Sequence, residues 1–177
     1  RFPGAMPCSL TKENLKYIQE HDFLFAEKTD GIRCMLFITT VLHEGSDKKF
    51  VFITDRKYEW HMIPAVPFKK ELFDGTIVDG EIYYDKKQKR AFFSAFDLYC
   101  LCGDFSIQNK VFTQRLFSIF LFTQHTDRQP ITKEFTFYLK QFFTKDKFDP
   151  KKFESRYINI PSDGIIMVRS EEHTSEL

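Results

Sequence analysis

No apolar run in these 177 residues approaches the roughly 20 needed to cross a bilayer, and the opening RFPGAMPCSL lacks the basic region and apolar core of a secretory signal. Both absences argue against a membrane-directed segment in this stretch. The first residue is not methionine, so an upstream portion carrying a targeting signal stays open. Glycine and proline are sparse at 7 each, and no Gly/Ser linker, internal repeat or low-complexity block interrupts the chain, which predicts one continuous domain. The cysteines Cys8, Cys34, Cys100 and Cys102 lack the dense spacing of a disulfide framework, and no second Cys or His pair follows Cys100 and Cys102 at zinc-site spacing. A reducing compartment is the expected setting, with Cys34 a small buried thiol in an apolar run. An excess of one charge is missing too: 26 basic against 25 acidic residues give a net of +1.

The final residues, RSEEHTSEL, correspond to AGA TCG GAA GAG CAC ACG TCT GAA CTC, a common short-read sequencing adapter. Residues 169–177 are therefore expected to be foreign, with the native protein of this fragment stopping near Val168 or Arg169 and residues 1–168 forming the domain. Setting them aside removes one arginine and three glutamates and leaves about +3, too little to announce a nucleic-acid partner by charge alone.

What is abundant is apolar and aromatic: 42% of the residues are hydrophobic and 22 are phenylalanine, which predicts a core filled with aromatic rings. LTKENLKYIQE reads as a helix capped by Thr11, with Leu10 and Leu15 placed as a hydrophobic staple. Short runs rich in Phe, Val, Ile and Tyr between turn residues predict strands at Phe23–Glu27, Ile32–Val41, Phe50–Thr54, Tyr58–Ile63, Thr76–Tyr84, Ala91–Tyr99, Glu134–Leu139 and Gly164–Val168. Helices are expected at Gln108–Thr123 and near Pro150–Tyr157. Turns and short loops, rather than regular crossover helices, join most strands, so the fold class is α+β with mainly antiparallel sheets and flanking helices.

Asp-Gly pairs at 30, 74, 79 and 163 read first as turn chemistry. The first is set apart by its company, because EKTDGIR places Lys28, Asp30 and Arg33 about one tight bend between two strand-like runs. Convergent charges on a rigid rim suit a phosphate ligand.

FPGAMPCSL, EKTDGIRCMLFI, FITDR, IVDGEIYYD, FSAFDLYCLCG and SDGIIMV occur in order between Phe2 and Val168. In order and approximate spacing this set resembles the messenger RNA guanylyltransferases, the GTP-using capping enzymes of the covalent nucleotidyltransferase superfamily. Lys-x-Asp-Gly-x-Arg alone marks the superfamily, which includes the ATP-dependent ligases; the Phe-Pro-Gly segment and the form KTDGIR resemble the capping enzymes. The resemblance implies the DNA ligase/mRNA capping enzyme nucleotidyltransferase fold. It also implies that Lys28 attacks the α-phosphate of GTP, expels pyrophosphate and holds GMP as a phosphoramidate for transfer to a diphosphate-ended RNA. An uncharged amine is needed, so burial, nearby cations and a metal are expected to lower the Lys28 pKa.

By the same resemblance, Thr29 helps fix the nucleotide, Arg33 and Arg56 address the ribose, and Glu81 binds a ribose hydroxyl and assists in organising metal. Phe96 stacks on guanine, Lys140 donates to guanine O6, and Asp163 stands near the phosphate, where it can position water or Mg²⁺; Asp30 shapes the turn. The implied cofactor is Mg²⁺ or Mn²⁺, its protein ligands unassigned. RNA polymerase II and an RNA triphosphatase are the protein partners left open, and the nucleus is the implied compartment, or the cytoplasm for a viral enzyme. The family continues past this point to a Lys-x-Lys strand and an OB-fold domain, so the fragment by itself is expected to be largely inactive. An ATP-dependent polynucleotide ligase and a noncatalytic nucleotide-binding module are the alternatives. Template from a library prepared without that adapter is expected to read different codons after Val168; recovery of the same nine codons would refute the adapter origin.

Overall fold

A computed structural model of the chain describes residues 6–63, 68–123, 135–149, 151 and 160–171. After a short helix α1 (Leu15–Glu20), the strands β1 (Phe23–Thr29), β2 (Ile32–His43), β3 (Ser46–Asp55), β4 (Trp60–Ile63), β5 (Asp74–Asp85) and β6 (Arg90–Cys100) follow closely. A 3₁₀ turn (Phe105–Asn109) and helix α2 (Phe112–Thr123) then lead to β7 (Phe135–Leu139), β8 (Phe143–Thr144) and β9 (Ser162–Arg169). Two sheets result: a six-stranded one in the order β4-β3-β2-β5-β6-β7 and a three-stranded one in the order β8-β1-β9.

Among the described residues every strand pairing is antiparallel except β6–β7. That exception has a cause in connectivity: parallel neighbours need a crossover, and α2, which packs on both strands, supplies it. Alternation within β2 buries Cys34, Leu36 and Ile38 on one face, where they meet Val51 of β3, Val78 of β5 and Leu98 of β6. Aromatic rings extend this core as expected. Phe93 is fully buried and stacks on Phe137 at 5.6 Å, and Phe68 meets Phe137 edge-on.

Several boundaries differ from the sequence reading. Thr11 is not the cap of α1; its N–H donates to Asn14 Oδ1, and the helix starts after Asn14. Leu10 and Leu15 are both exposed, so no buried staple forms there. The helix expected from Gln108 is divided, since Phe105–Asn109 winds as a 3₁₀ turn and α2 starts only at Phe112. The two-residue strand β8 was too short to carry a pattern. The helix expected near Pro150–Tyr157 lies, apart from Lys151, outside the described residues, as does Glu134. Pairing of β9 runs through Arg169, opposite Phe23, and the Arg169 Nη1 donates to the Tyr17 hydroxyl.

Two Asp-Gly pairs are not turns at all. Asp163-Gly164 lies within β9, and Asp79-Gly80 lies in the middle of β5. At the latter the glycine answers to packing: a Cβ at Gly80 would stand 2.4 Å from Phe93 Cζ and 2.8 Å from the Ser94 carbonyl oxygen. Gly80→Ala is therefore expected to cost about 1–3 kcal/mol by overpacking. Urea unfolding monitored by circular dichroism checks this, and an unchanged midpoint would show that the Phe93 ring can move aside.

Candidate active site at the junction of the two sheets

Asp30 and Gly31 do not close a hairpin. β1 belongs to the three-stranded sheet and β2 to the six-stranded one, so the bend is where the chain passes between sheets. It is pinned twice: the Asp30 N–H donates to the Pro161 carbonyl at 2.7 Å, and a Cβ at Gly31 would lie 2.7 Å from the Ile82 carbonyl oxygen. Only glycine lets the bend press this close to β5, and the close approach sets Lys28 and Arg33 on either side of one junction.

Lys28 faces Gly164 on β9 while Thr29 faces Ser162, leaving Asp163 as the unpaired residue of a bulge. In an unbroken ladder Asp163 would pair with Thr29 and share its buried side; the extra residue turns it instead toward Lys28. Lys28 Nζ donates to both carboxylate oxygens of Asp163 at 2.6 Å, and both side chains are half exposed. The hydrogen bond to Asp163 raises the Lys28 pKa, and the charges of Asp163, Glu81 and Asp30 act the same way against a smaller lowering from desolvation. The same bond lowers the Asp163 pKa. The expected lowering at Lys28 is thus reversed, because the amine is exposed and the charged groups acting on it are acidic.

Behind this pair lies a buried polar layer. On β1, Glu27 and Thr29 point away from Lys28 and are almost wholly buried. Lys140, just past the end of β7 and 1% exposed, donates to Thr29 Oγ1 at 2.8 Å and to the Glu27 carbonyl at 3.0 Å. Its ammonium also lies 3.3 Å from Glu27 Oε1 and 3.7 Å from Glu81 Oε2. Burial raises the Glu27 and Glu81 pKa values, with Lys140 opposing the rise in each.

On β2, Arg33 stands opposite Glu81 in register and forms a two-pronged bond with the diagonal Asp79, Nε to Oδ1 at 3.1 Å and Nη2 to Oδ2 at 2.5 Å. Burial pushes the Asp79 pKa up to about 6 even though Arg33 works against it. Phe96 occupies a second bulge, in β6, and its ring centroid lies 5.4 Å from the Arg33 guanidinium carbon and 5.9 Å from Lys140 Nζ.

The structure therefore joins Lys28, Thr29, Arg33, Glu81, Phe96, Lys140 and Asp163 into one connected cluster. Arg56 stands apart, exposed in the turn after β3, whose last residue Asp55 faces Cys34 in register. Sequence reasoning passed over Glu27 and Asp79, which hold Lys140 and Arg33. A signal was present in FLFAEKT and TIVDGEI: a carboxylate inside an apolar strand run must be buried, and then needs a cation. Among the described residues no three His, Cys, Asp or Glu side chains gather as a ready metal centre.

Two sheets meeting at a strand-end lysine, with carboxylates gathered about it, are the arrangement of the nucleotidyltransferase fold shared by ligases and capping enzymes. The solved structure described as Pmar-Lig_Pre has this fold, superposing with a TM-score of 0.54 over 94% of this chain and 42% of its own at 14% identity. A second, Pmar-Lig_PreS3, gives 0.52 over 95% and 44%, also at 14% identity.

Within that fold the chain belongs to the family of the mRNA capping enzyme catalytic domain, whose model matches residues 1–173. It is 33% identical over 135 residues to the mRNA-capping enzyme subunit alpha of Neurospora crassa, covering 68% of this chain and 33% of that protein. The Schizosaccharomyces pombe subunit alpha is 32% identical over 116 residues, 58% of this chain and 27% of its own. The Danio rerio mRNA-capping enzyme is 31% identical over 88 residues, 48% and 14% respectively. The chain thus spans about a third or less of these relatives.

Removing the Asp163 carboxylate removes the main cause of the raised Lys28 pKa. In Asp163→Asn, Lys28 is expected to become reactive toward an acylating reagent at a lower pH than in the parent, read by mass spectrometry across a pH series. An unmoved profile would contradict the assignment. For stability, Lys28 with its raised pKa loses its contribution as pH rises through the folded value, and Asp163 with its lowered pKa loses its own as pH falls through the folded value.

Proposed function

We propose that this chain is the nucleotidyl-transferring part of a GTP:RNA guanylyltransferase, with Lys28 as the nucleophile that carries GMP to a diphosphate-ended RNA. The observation that carries the reading is the placement of Lys28 at the sheet junction, half exposed and held by Asp163 on a bulge, with Thr29, Arg33, Glu81, Phe96 and Lys140 in the same cluster. In the first half-reaction the Lys28 nitrogen bonds to the α-phosphorus, the bond to the bridging oxygen breaks and pyrophosphate leaves. The amine must first lose a proton, and the Asp163 carboxylate is the acceptor in direct contact. Its depressed pKa makes it a weak base while it is paired with Lys28, so the pair must loosen before that transfer becomes favourable.

Arg33 and Phe96 define a side for the sugar and the base, the first as a planar donor fork and the second as a ring beside two cations. Lys140 supports GTP over ATP, since an ammonium complements the guanine O6 acceptor and opposes the adenine amino group. This use requires Lys140 to exchange one of its present contacts with Glu27, Thr29 or Glu81 for the base.

The donor set also fits a hard divalent cation. The cluster sets the cations Lys28, Arg33 and Lys140 against the carboxylates Asp163, Asp79, Glu27 and Glu81, an acidic excess onto which a triphosphate could not settle without further positive charge. Asp163 and Glu81 are the partly exposed oxygen donors that would hold Mg²⁺ or Mn²⁺ together with the substrate phosphates. When bound, such an ion neutralises phosphate charge and aligns attack with departure. RNA polymerase II or an RNA triphosphatase as protein partner, and a nuclear or viral-factory setting, belong to the same proposal and rest on the family.

Fused to the C-terminal part of the Neurospora crassa relative and given α-labelled GTP with Mn²⁺, the chain is expected to acquire an acid-labile label at Lys28. Lys28→Arg should abolish it, and α-labelled ATP should not replace GTP. Labelling by ATP in preference would favour a ligase, and no label with either nucleotide would favour a binding module.

A further inference from the structure

The Phe96 bulge needs something to hold it. Across β5 and β6, Gly80 faces Ala95 and Asp79 faces Asp97, so Phe96 alone is left over between two paired positions. Such a residue is aimed by the bend of its strand rather than by the ladder. The shoulder of the bend is Asp97, and Arg115 of α2 grips it: Nε donates to Oδ1 at 2.7 Å and Nη2 to Oδ2 at 3.0 Å. A third donor, Nη1, reaches the Lys110 carbonyl at 2.6 Å, which ties the same guanidinium to the start of α2. Arg115 is 1% exposed, and Asp97 Oδ1 also accepts from its neighbour Leu98 N–H. No side chain in the nucleotide cluster touches Arg115 in these bonds, so the chemistry proposed above leaves it without a task.

Electrostatics makes this grip more than a tether. Asp97 stands opposite Asp79, and its charge helps to raise the Asp79 pKa. Two carboxylates in one row of a sheet repel, and the row is stable with each holding its own arginine, Arg33 for Asp79 and Arg115 for Asp97. Loss of Arg115 would leave Asp97 free to pull away from Asp79 or to draw Arg33 toward itself. Either movement shifts the backbone that carries Phe96.

We infer that Arg115 is a positioning residue for the nucleotide: through Asp97 it holds the β6 bulge that presents the Phe96 ring to the purine. This rests on the proposal that a guanine nucleotide binds at the Lys28 junction. The test is a double-mutant cycle on GTP affinity, by isothermal titration calorimetry with Mg²⁺ of the chain fused to the C-terminal part of the Neurospora crassa relative, comparing parent, Phe96→Ala, Arg115→Lys and the double variant. Asp97→Asn serves as an independent probe of the same link, and thermal unfolding is recorded for each.

Loss of a base-stacking contact predicts about tenfold weaker GTP binding for Phe96→Ala. Arg115→Lys should lose a comparable factor in the parent and less than about twofold in the Phe96→Ala background, because its effect passes through the missing ring. Asp97→Asn should behave as Arg115→Lys does. Additive losses, or a loss that simply follows the fall in unfolding temperature, would overturn the inference and leave Arg115 a structural residue. Unchanged affinity in both Arg115→Lys and Asp97→Asn would overturn it while leaving the nucleotide reading intact. Failure of the parent fusion to bind GTP with Mg²⁺ would overturn both together.

Discussion

The ammonium of Lys140 is the contact on which the rest of the site depends. A charge removed from water in this way is tolerable only if it is paired and hydrogen-bonded, because burial of an unpaired cation costs several kcal/mol. Its partners come from both sheets: Glu27 and Thr29 from β1 in the smaller one, Glu81 from β5 in the larger. Satisfying that one group therefore fixes how the two sheets meet, and the meeting line is the Asp30-Gly31 bend, with Lys28 on one side of it and Arg33 on the other. Truncating any one partner leaves a buried charge behind, so stability and site geometry share the same residues.

The side chains that the chemistry needs are placed by departures from regular structure. Asp163 and Phe96 are the odd residues of two bulges, and Gly31 allows a backbone approach that no other residue permits. Regular ladders alternate side chains with period two and can place a group only on one face or the other. A bulge breaks that constraint at a single position, leaving the surrounding sheet to supply rigidity. The Gly80–Phe93 contact shows the complementary demand, with a bare backbone required so that a core ring can lie flat across the strand.

Charge balance in the cluster explains why it is poised rather than spent. Lys28, Arg33 and Lys140 are each matched to carboxylates whose own pKa values are altered by burial or by the pairing. In the proposed reaction the phosphate oxygens compete with Asp163 for Lys28. The exposed Lys28–Asp163 pair is the easiest to exchange, since water already reaches both groups, whereas the Arg33–Asp79 fork is nearly dry.

Much of this was legible in the amino-acid order. Strand periodicity identified eight of the strand positions, because alternating burial is a local property that composition along each run records. The ordered motifs named Lys28, Thr29, Arg33, Glu81, Phe96, Lys140 and Asp163, and the fold joins them. Periodicity could not reveal that β1 and β2 belong to different sheets, that Asp79-Gly80 is mid-strand, or that β6 and β7 run parallel. Those depend on pairings between distant residues. Nor could a motif show that Lys28 is held as an ammonium by Asp163, since a pKa depends on which charges lie within a few ångströms in space. Glu27, Asp79, Asp97 and Arg115 were visible only as charges amid apolar residues. The sequence by itself determined which elements form and which residues carry chemistry; the tertiary structure alone decided which charges meet, because desolvation and pairing act through distance and burial, and neither is a property of neighbours along the chain.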